Sequence, residues 1–187
     1  MSENPTSADN QQERIFSQFA QSKNFPWYLT GFVDGEGSFC ISIKKHPTAK
    51  FGWQIDPSFY LYQHEKNKWI LELAAKHFGR GGIHRKSSPY SVFTYAVHGI
   101  RNMREVIIPF FQKYPLLVKH ETFTLFTSAV ELMHAKAHHD WKGFQRIVDI
   151  AFALNQMGKG RKWTMERIVE RYSSETERRT LLQNAKG

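Results

Sequence analysis

Two acidic residues flanked by glycines carry the side chains best suited to chemistry in this sequence. They form the run Asp34-Gly35-Glu36-Gly37, between a stretch with helical spacing and a stretch that alternates as a strand does. Carboxylates are ligands that hard divalent cations prefer. The run is also consistent with a plain helix–turn–strand junction that contains an incidental acid, so its surroundings must decide between the two.

The residues before the acids predict a short helix. Asn24 is a suitable N-cap, and Pro26 suits the first helical turn. Leu29, Phe32 and Val33 stand at positions i, i+3 and i+4, which gives the helix one apolar face. We expect this face to pack against the rest of the chain.

A second stripe on the same helix consists of Trp27, Gly31 and Gly35, each one i+4 step after the last. The two glycines lack side chains, so another backbone can approach this side closely. Gly35 and Gly37 bracket Glu36 and are expected to end the helix, in a conformation that residues with a Cβ resist. The helix thus has one face for its own core and one face open to close contact.

Residues 29–37 read LTGFVDGEG, and this run closely resembles the motif of the LAGLIDADG homing endonucleases. The resemblance implies that two such helices pack side by side. It also implies that Glu36 binds a divalent metal at a DNA scissile phosphate, with the Gly35 carbonyl as a second ligand. Asp34 matches an earlier acid that serves structure near the helix end. The dimer interface implied in this way comprises Trp27, Thr30, Gly31, Asp34 and Gly35.

Composition narrows the class of partner. At 187 residues, with 41% hydrophobic and 14% aromatic residues, the chain is long enough for one globular domain with its own core. A formal net charge of +9 favours a polyanionic partner, with nucleic acid ahead of an anionic membrane. No apolar run approaches the roughly 20 residues that span a bilayer. The single cysteine, Cys40, excludes an intrachain disulfide and suits a reducing compartment.

The chain is predicted to divide into an N-terminal arm, one domain and a C-terminal tail. The arm is polar and is expected to be mostly disordered and flexible, with Ile15, Phe16 and Phe19 forming a short docking helix. It lacks the apolar core of a secretory signal and the arginine-rich character of a transit peptide. The three parts are residues 1–22, residues 23–172 and residues 173–187.

Four segments alternate between apolar and polar residues and predict strands at residues 38–44, 53–64, 83–86 and 91–98. Helices are predicted at residues 65–78, 100–111, 119–138, 141–156 and 164–172, and turns at residues 79–82, 87–89 and 158–160. Pro57 cannot donate a ladder hydrogen bond, which predicts a bulge or an edge position. The alternation predicts a sheet covered by helices on one side only.

The uncovered sheet face carries donors, acceptors and cations that can read base edges and phosphates in a major groove. An ordinary solvated face has the same alternation, but two tyrosines expected to be exposed and a basic loop at residues 45–50 favour binding. The candidate DNA-binding residues, with two lysines that follow the second strand, are Cys40, Ser42, Lys44, His46, Lys50, Gln54, Asp56, Ser58, Tyr60, Tyr62, Lys66, Lys68, His84, Lys86 and Thr94.

Together the elements predict an α+β fold with the order α-β-β-α-β-β-α, followed by further helices. This order matches the LAGLIDADG core over about residues 27–155, and the resemblance implies a saddle-shaped antiparallel sheet. One motif and no internal repeat are found, which by resemblance implies a homodimer whose two-fold axis passes between the motif helices. Such symmetry implies a long, pseudo-palindromic DNA target.

The resemblance implies two further catalytic residues. Gln63 ends the long strand, where the family places a polar residue that positions water near the metals. By the alternation of the strand, the Gln63 side chain points toward the motif helix. Lys119 matches the family's basic residue in the segment YPLLVKH, with His120 as a rival because spacing there varies. An arginine that related dimeric enzymes carry shortly after the glutamine is replaced by Asn67, so a lysine on either side of Asn67 is a further candidate.

The resemblance implies a site-specific homing endonuclease that makes a Mg²⁺-dependent double-strand break, with Mn²⁺ as a substitute. The alternative is an intron RNA maturase or a non-cleaving DNA-binding regulator on the same scaffold, since RNA readers also stack bases on tyrosines. The acid at Glu36 favours the nuclease. A zinc site at His134, His138 and His139 is disfavoured, because no cysteine or acid stands at a ligand spacing.

A narrower resemblance concerns the gene that encodes the chain and the compartment in which the chain acts. Residues 50–52, 56–57, 59 and 63–64 resemble enzymes encoded by mobile introns in large-subunit ribosomal RNA genes of chloroplasts. The expected compartment is therefore a chloroplast or another organelle, with a bacterial cytoplasm as the alternative. No membrane partner is expected.

Overall fold

The computed structural model describes residues 7–86, 91–154 and 163–169. Helices α1 (Ser7–Ala20) and α2 (Phe25–Glu36) precede strands β1 (Gly37–Lys45) and β2 (Trp53–His64), helix α3 (Lys68–Phe78) and strands β3 (Gly82–Arg85) and β4 (Val92–His98). Helices α4 (Ile100–Asn102), α5 (Ile108–Lys113), α6 (His120–His134) and α7 (Trp141–Leu154) follow. The predictions for residues 1–6, 87–89, 158–160 and 173–187 lie outside the described residues.

The four strands form one antiparallel sheet in the order β1-β2-β4-β3. Cys40 on β1 lies opposite Ser58 on β2. Tyr62 on β2 lies opposite Thr94 on β4, which in turn lies opposite His84 on β3. The polar residues of all four strands therefore share one face, and the predicted α+β fold with this element order is confirmed.

The other face of the sheet forms the core with the helices. Phe39, the first inward-facing residue of β1 after the acidic run, is almost fully buried. Its ring lies 5.3 Å from the ring of Phe59 on β2, 5.5 Å from Phe111 on α5 and 5.3 Å from Phe126 on α6. Strand β1 is thus held by aromatic side chains from three other elements. Of the helices described, none is long and apolar enough to cross a membrane.

Pro57 lies in the central strand β2, within an unbroken register, so the prediction of a bulge or an edge position was wrong. The reason is local. The pairing of β2 with β4 begins one residue later, where Ser58 lies opposite His98. The Pro57 carbonyl accepts the N–H of Gly99 at 3.0 Å, just past the end of β4. The missing proline N–H therefore falls where no strand requires it.

Two predicted helices are interrupted. The helix expected at residues 100–111 contains a π-helical turn at Met103–Ile107 before α5. Pro109 follows that turn, and proline lacks the N–H of a regular helix and clashes with the preceding turn. The helix expected at residues 119–138 ends at His134, because Lys136 adopts a left-handed backbone with φ of 59°.

The N-terminal arm is helical from Ser7 to Ala20, where the sequence predicted a mostly disordered arm with a short docking helix. Phe16 stacks on Trp69 of α3 with ring centroids 3.9 Å apart. Phe19 packs edge-on against Phe25 of α2 at 5.9 Å, whereas Ile15 remains 56% exposed. Two aromatic side chains one turn apart are thus enough to seat the helix on α2 and α3.

Helix α2 is fastened at its C-terminal end by a segment distant in sequence. The Asp34 carboxylate accepts the N–H of Leu117 at 2.8 Å and the N–H of Lys119 at 3.0 Å. One turn earlier, the Thr30 hydroxyl donates to the Tyr114 carbonyl at 3.2 Å. At the N-terminal end, the predicted side-chain cap by Asn24 is not made. The position of the helix therefore depends on residues 114–119.

Partial burial acts to raise the pKa of Asp34, but the backbone N–H groups of Leu117, Lys119 and Val118 and the Lys119 charge outweigh it and hold the pKa below its ordinary value. An acid whose pKa is lowered by folding stabilises the fold above its unfolded pKa, and this contribution is lost as pH falls through the folded pKa. The fastening of α2 is therefore sensitive to acid.

We predict that Asp34→Asn lowers the free energy of unfolding at pH 7 by about 1–2 kcal/mol, because two N–H groups lose a charged acceptor. The difference from wild type should shrink as pH falls below about 4, because the carboxyl of the unfolded chain is protonated there and the folded carboxyl follows at lower pH. Urea unfolding at pH 7 and pH 3 measures both quantities. Asp149→Asn, on the exposed face of α7, is the control, and an equal loss in both variants would contradict the prediction.

Candidate active site and nucleic-acid interface

Glu36 is the last residue of α2, and its side chain is exposed. The chain turns into β1 at Gly37, whose N–H donates to the Val33 carbonyl. Gly37 has an extended backbone with φ of −84°, so the expected special conformation at this glycine was wrong. A Cβ at Gly37 would instead lie 2.6 Å from Val33 Cγ1, which explains the need for glycine. Close packing at the joint fixes the direction in which Glu36 leaves the helix.

Lys119 is the basic residue that the fold brings to this acid. Its ammonium donates to the carbonyl oxygens of Asp34 and Gly35, the latter at 3.3 Å. A cation at the C-terminal end of a helix also interacts favourably with the helix dipole. His120 begins α6 with an exposed side chain, so the geometry favours Lys119 over its rival.

Gln63 lies near the same junction by its place in the sheet. It is two residues beyond Leu61, which pairs with Gly37, the residue after Glu36. As the alternation predicted, Gln63 is on the face opposite the β2 tyrosines. Its Oε1 accepts the N–H of His64 at 2.7 Å, so the side-chain amide N–H₂ remains as a donor toward solvent or substrate.

The other basic candidates are placed differently. Lys68 pairs with Glu72 at 2.9 Å and lies 5.2 Å from the ring centre of Phe93. Lys66 is exposed in the short turn before α3. In the part of the chain that the structure describes, neither lysine has a hydrogen bond or ion pair with the acidic run, whereas Lys119 donates to two of its carbonyls.

The donor set at this acid suits a hard divalent cation. Each chain offers one carboxylate, Glu36, and one carbonyl oxygen, that of Gly35, which can accept Lys119 and still has a second lone pair. Magnesium-like ions prefer few protein oxygens together with water. Within the described ranges, no cluster of three His, Cys, Asp or Glu side chains could hold a metal.

The histidines of the α6–α7 turn form no zinc site in the described structure. The rings of His138 and His139 lie 4.4 Å apart. Burial lowers the pKa of His138, and the neighbouring His139 lowers it further. His134 precedes this turn on α6 and is exposed.

The polar face of the sheet holds most of the predicted DNA-binding residues. Tyr60 and Tyr62 stack with ring centroids 6.1 Å apart and are half-buried, so the expectation that they are exposed was wrong. Burial raises the pKa of both phenols, which keeps their hydroxyls as neutral donors. The Lys86 ammonium lies 5.5 Å from the Tyr62 ring centre. The predicted residues on this face are Cys40, Ser42, Lys44, Gln54, Asp56, Ser58, Tyr60, Tyr62, His84, Lys86 and Thr94.

The remaining predicted residues lie at the edges of this face. His46 and Lys50 are exposed in the loop between β1 and β2. Lys66 and Lys68 lie at the start of α3, beyond the end of β2. The sequence reasoning missed His98, which lies opposite Ser58 on the same face. Extending the alternation of β4 to its last residue would have found it.

The outer side of α2 is open in the single chain. Trp27 is 55% exposed, and a Cβ at Gly31 or Gly35 would meet nothing within 4 Å. The neighbouring Leu117 and Val118 are 85% and 82% exposed, and the sequence reasoning had not singled them out. These five residues are hereafter called the open stripe.

Two residues predicted for the dimer interface face their own chain. The Thr30 side chain is only 4% exposed and binds the Tyr114 carbonyl. The Asp34 carboxylate binds the N–H groups of Leu117 and Lys119. Their side chains therefore serve the fold, and their assignment to the interface is corrected.

Comparison with known proteins identifies this arrangement. The LAGLIDADG endonuclease family model matches residues 29–130. The chain is 33% identical over 131 residues to the probable intron-encoded endonuclease 2 of Neurospora crassa, covering 70% of this chain and 29% of that protein. It is 28% identical over 149 residues to the DNA endonuclease I-CreI of Chlamydomonas reinhardtii, covering 79% of this chain and 88% of that one.

A solved structure extends the similarity to three dimensions. The archaeal intron-encoded homing endonuclease I-Vdi141I in complex with DNA superposes with a TM-score of 0.72 and 29% identity, covering 80% of this chain and 95% of that one. The chain spans less than a third of the length of the Neurospora relative but nearly all of the archaeal one. The matched region contains the acidic run, the four strands and Lys119. The chain belongs to the LAGLIDADG endonuclease family.

Proposed function

We propose that this chain is a homing endonuclease that binds a specific double-stranded DNA target and cuts both strands as a homodimer. The observation that carries the proposal is the junction of α2 and β1. There an exposed acid, Glu36, directly follows the Gly35 carbonyl, which accepts a hydrogen bond from the Lys119 ammonium, at one end of a polar sheet face. The relatives named as DNA endonucleases and the neighbour solved with DNA support the same activity.

The open stripe supports association of two copies. Glycine in an exposed helix interior is less favourable than alanine by about 1 kcal/mol. No residue that the structure describes fills the space above Gly31 or Gly35, so the described part of one chain gives no reason for these glycines. A second α2 packed on the stripe would supply the reason, because small residues let two helix backbones approach closely. Association would also bury Leu117 and Val118.

Two copies related by a two-fold axis would place the two Glu36 side chains near one another. The Glu36 carboxylate and the Gly35 carbonyl would hold the divalent cation, and we propose Mg²⁺, with Mn²⁺ as a substitute. When bound, such a cation supplies Lewis-acid stabilisation of charge on phosphate oxygens and lowers the pKa of bound water. Each chain would then act on one DNA strand, which requires a target with approximate two-fold symmetry.

The side chains around the acid have separable roles. The Lys119 ammonium would stabilise the negative charge that develops on the scissile phosphate, since it lies within hydrogen-bond distance of the backbone that carries Glu36. The Gln63 amide N–H₂ would orient the attacking water. The half-buried tyrosine pair and the polar residues of the sheet would lie in the major groove and hold the DNA in register.

The genomic setting remains a proposal as well. The Neurospora relative is described as intron-encoded, as is the archaeal structural neighbour. We propose that an intron encodes this chain also, in an organelle or in a bacterium. RNA from that intron is the substrate to test if DNA is bound but not cut.

We predict that Glu36→Gln abolishes cleavage, by at least about 100-fold, because the only carboxylate that one chain offers at the site is lost. The target is first isolated from a randomised duplex library by binding to the wild-type protein. Cleavage of that duplex is then measured with Mg²⁺ and with EDTA. Binding in EDTA should stay near the wild-type level, and Glu166→Gln, an exposed acid outside the site, is the control. A cleaving Glu36→Gln protein would contradict the proposed role.

We predict that Lys119→Met slows single-turnover cleavage by about 100-fold, because stabilisation of developing charge is removed while side-chain bulk is kept. His120→Gln should cut at nearly the wild-type rate, which tests the choice between the two neighbours. Lys113→Met, an exposed lysine on α5, controls for the loss of one positive charge in DNA binding. Equal slowing by the Lys119 and Lys113 changes would argue for a general electrostatic effect.

We predict that Gly31→Leu leaves the single chain folded, because the added side chain meets open space, but prevents association of two copies. Sedimentation velocity should report a dimer for the wild type and a monomer for the variant, and double-strand cleavage should be lost with the dimer. Ala153→Leu, at an exposed position of α7, is the matched control. A dimeric Gly31→Leu protein would place the interface elsewhere.

A further inference from the structure

His98 is held in a small polar network in the middle of the sheet face. Its Nδ1 lies 2.8 Å from the Ser58 hydroxyl, directly across the β2–β4 pairing. The Asp56 carboxylate on β2 lies 3.9 Å from the same nitrogen. The ring of Tyr60 packs edge-on to the imidazole with centroids 5.6 Å apart. Three residues of β2 therefore surround one edge of the ring.

The network contacts the Nδ1 edge of the His98 ring, and the opposite edge of the ring faces away from the sheet. Ser58 is only 1% exposed, whereas the side chain of His98 is 52% exposed. Because Nδ1 is engaged by Ser58, Nε2 on the opposite edge of the ring is the atom available to a molecule on this face. The ring is thus oriented before any DNA arrives, which reduces the conformational entropy lost on binding.

These residues do not form a nucleophilic triad. In such a triad the serine and the acid address different imidazole nitrogens. Here Ser58 and Asp56 both approach Nδ1, and the Ser58 hydroxyl is buried. The network therefore orients His98 without activating the serine.

Asp56 places a carboxylate beside the imidazole. A protonated imidazole has N–H donors at both nitrogens, whereas a neutral one has a single N–H. The titratable groups that face His98 are Asp56 and Tyr60 on β2, with Cys40 on β1 beyond Ser58. Arg101, which follows on α4, is paired with Glu105 at 2.7 Å.

We propose that His98 is a specificity-determining residue that donates from Nε2 to a guanine edge in the major groove, and that its protonation makes this reading depend on pH. The proposal rests on the DNA-binding function proposed above. Guanine presents two acceptors, N7 and O6, in the major groove, and a cationic donor binds acceptors more strongly than a neutral one. Histidine is the side chain whose charge ordinarily changes between pH 5 and 8.

The test uses a randomised duplex library, from which the full protein selects sequences at pH 6.0 and at pH 8.0 in EDTA. The wild type should enrich guanine at one symmetric pair of positions about five- to tenfold more strongly at pH 6.0. His98→Gln keeps a hydrogen-bonding amide but cannot titrate, so its preference at that pair should be weak and equal at both pH values. Preferences at the other positions should match the wild type.

Two further variants separate a change in base recognition from a change in the structure of the protein. Ser58→Ala removes the bond to Nδ1 without changing the exposed surface, and it should weaken the guanine preference while leaving its pH dependence in place. His134→Gln, on α6 away from the sheet face, should leave the pH dependence as in the wild type. Circular dichroism confirms that each variant is folded.

The possible results separate the role of His98 in base recognition from the DNA-binding function on which that role depends. A selected palindrome whose profile is the same for wild type and His98→Gln would overturn the role of His98 but leave the nuclease proposal standing. A pH dependence that His98→Gln removes uniformly over all sequences would indicate a phosphate contact, and it would overturn base reading. A wild-type protein that enriches no duplex at either pH would overturn both proposals.

Discussion

The bond between the Asp34 carboxylate and the N–H groups of residues 117–119 is the constraint on which the site depends. It joins the end of α2 to the loop before α6, and the same loop delivers Lys119 to the carbonyls beside Glu36. Asp34 therefore helps to fix the position of Glu36. The arrangement lets Asp34 be essential to geometry while Glu36 alone remains free to meet a substrate.

Much of this architecture could be predicted from local patterns. The alternation of β2 gave both its bounds and its two faces, because a side-chain period of two leaves one solution when one face is buried. The motif at residues 29–37 identified the family. The contacts of Asp34 and Thr30 could not be predicted, because their partners are backbone groups some 84 residues away that have no side-chain signature.

Other failures have equally physical causes. The arm at residues 7–20 looks polar on average, yet Phe16 finds the flat face of Trp69, and a single stacked contact is invisible to composition. Pro57 was expected at an edge because the residue was considered without the length of its neighbouring strand. His98 was overlooked because the polar phase of β4 was followed only as far as Thr94. For the arm and for Pro57 the missing information was tertiary, whereas His98 could have been found from the local alternation of β4.

The open stripe has a consequence for how activity depends on abundance. If two copies pair through the open stripe as proposed, pairing removes Trp27, Leu117 and Val118 from water, and the fraction of paired chains follows mass action. When pairing is weak, the number of competent pairs rises with the square of chain concentration. A scarce chain would then meet DNA mostly alone, with one acid and half of a reading surface. Such a nuclease would be restrained at low expression by stoichiometry itself, without any separate inhibitor.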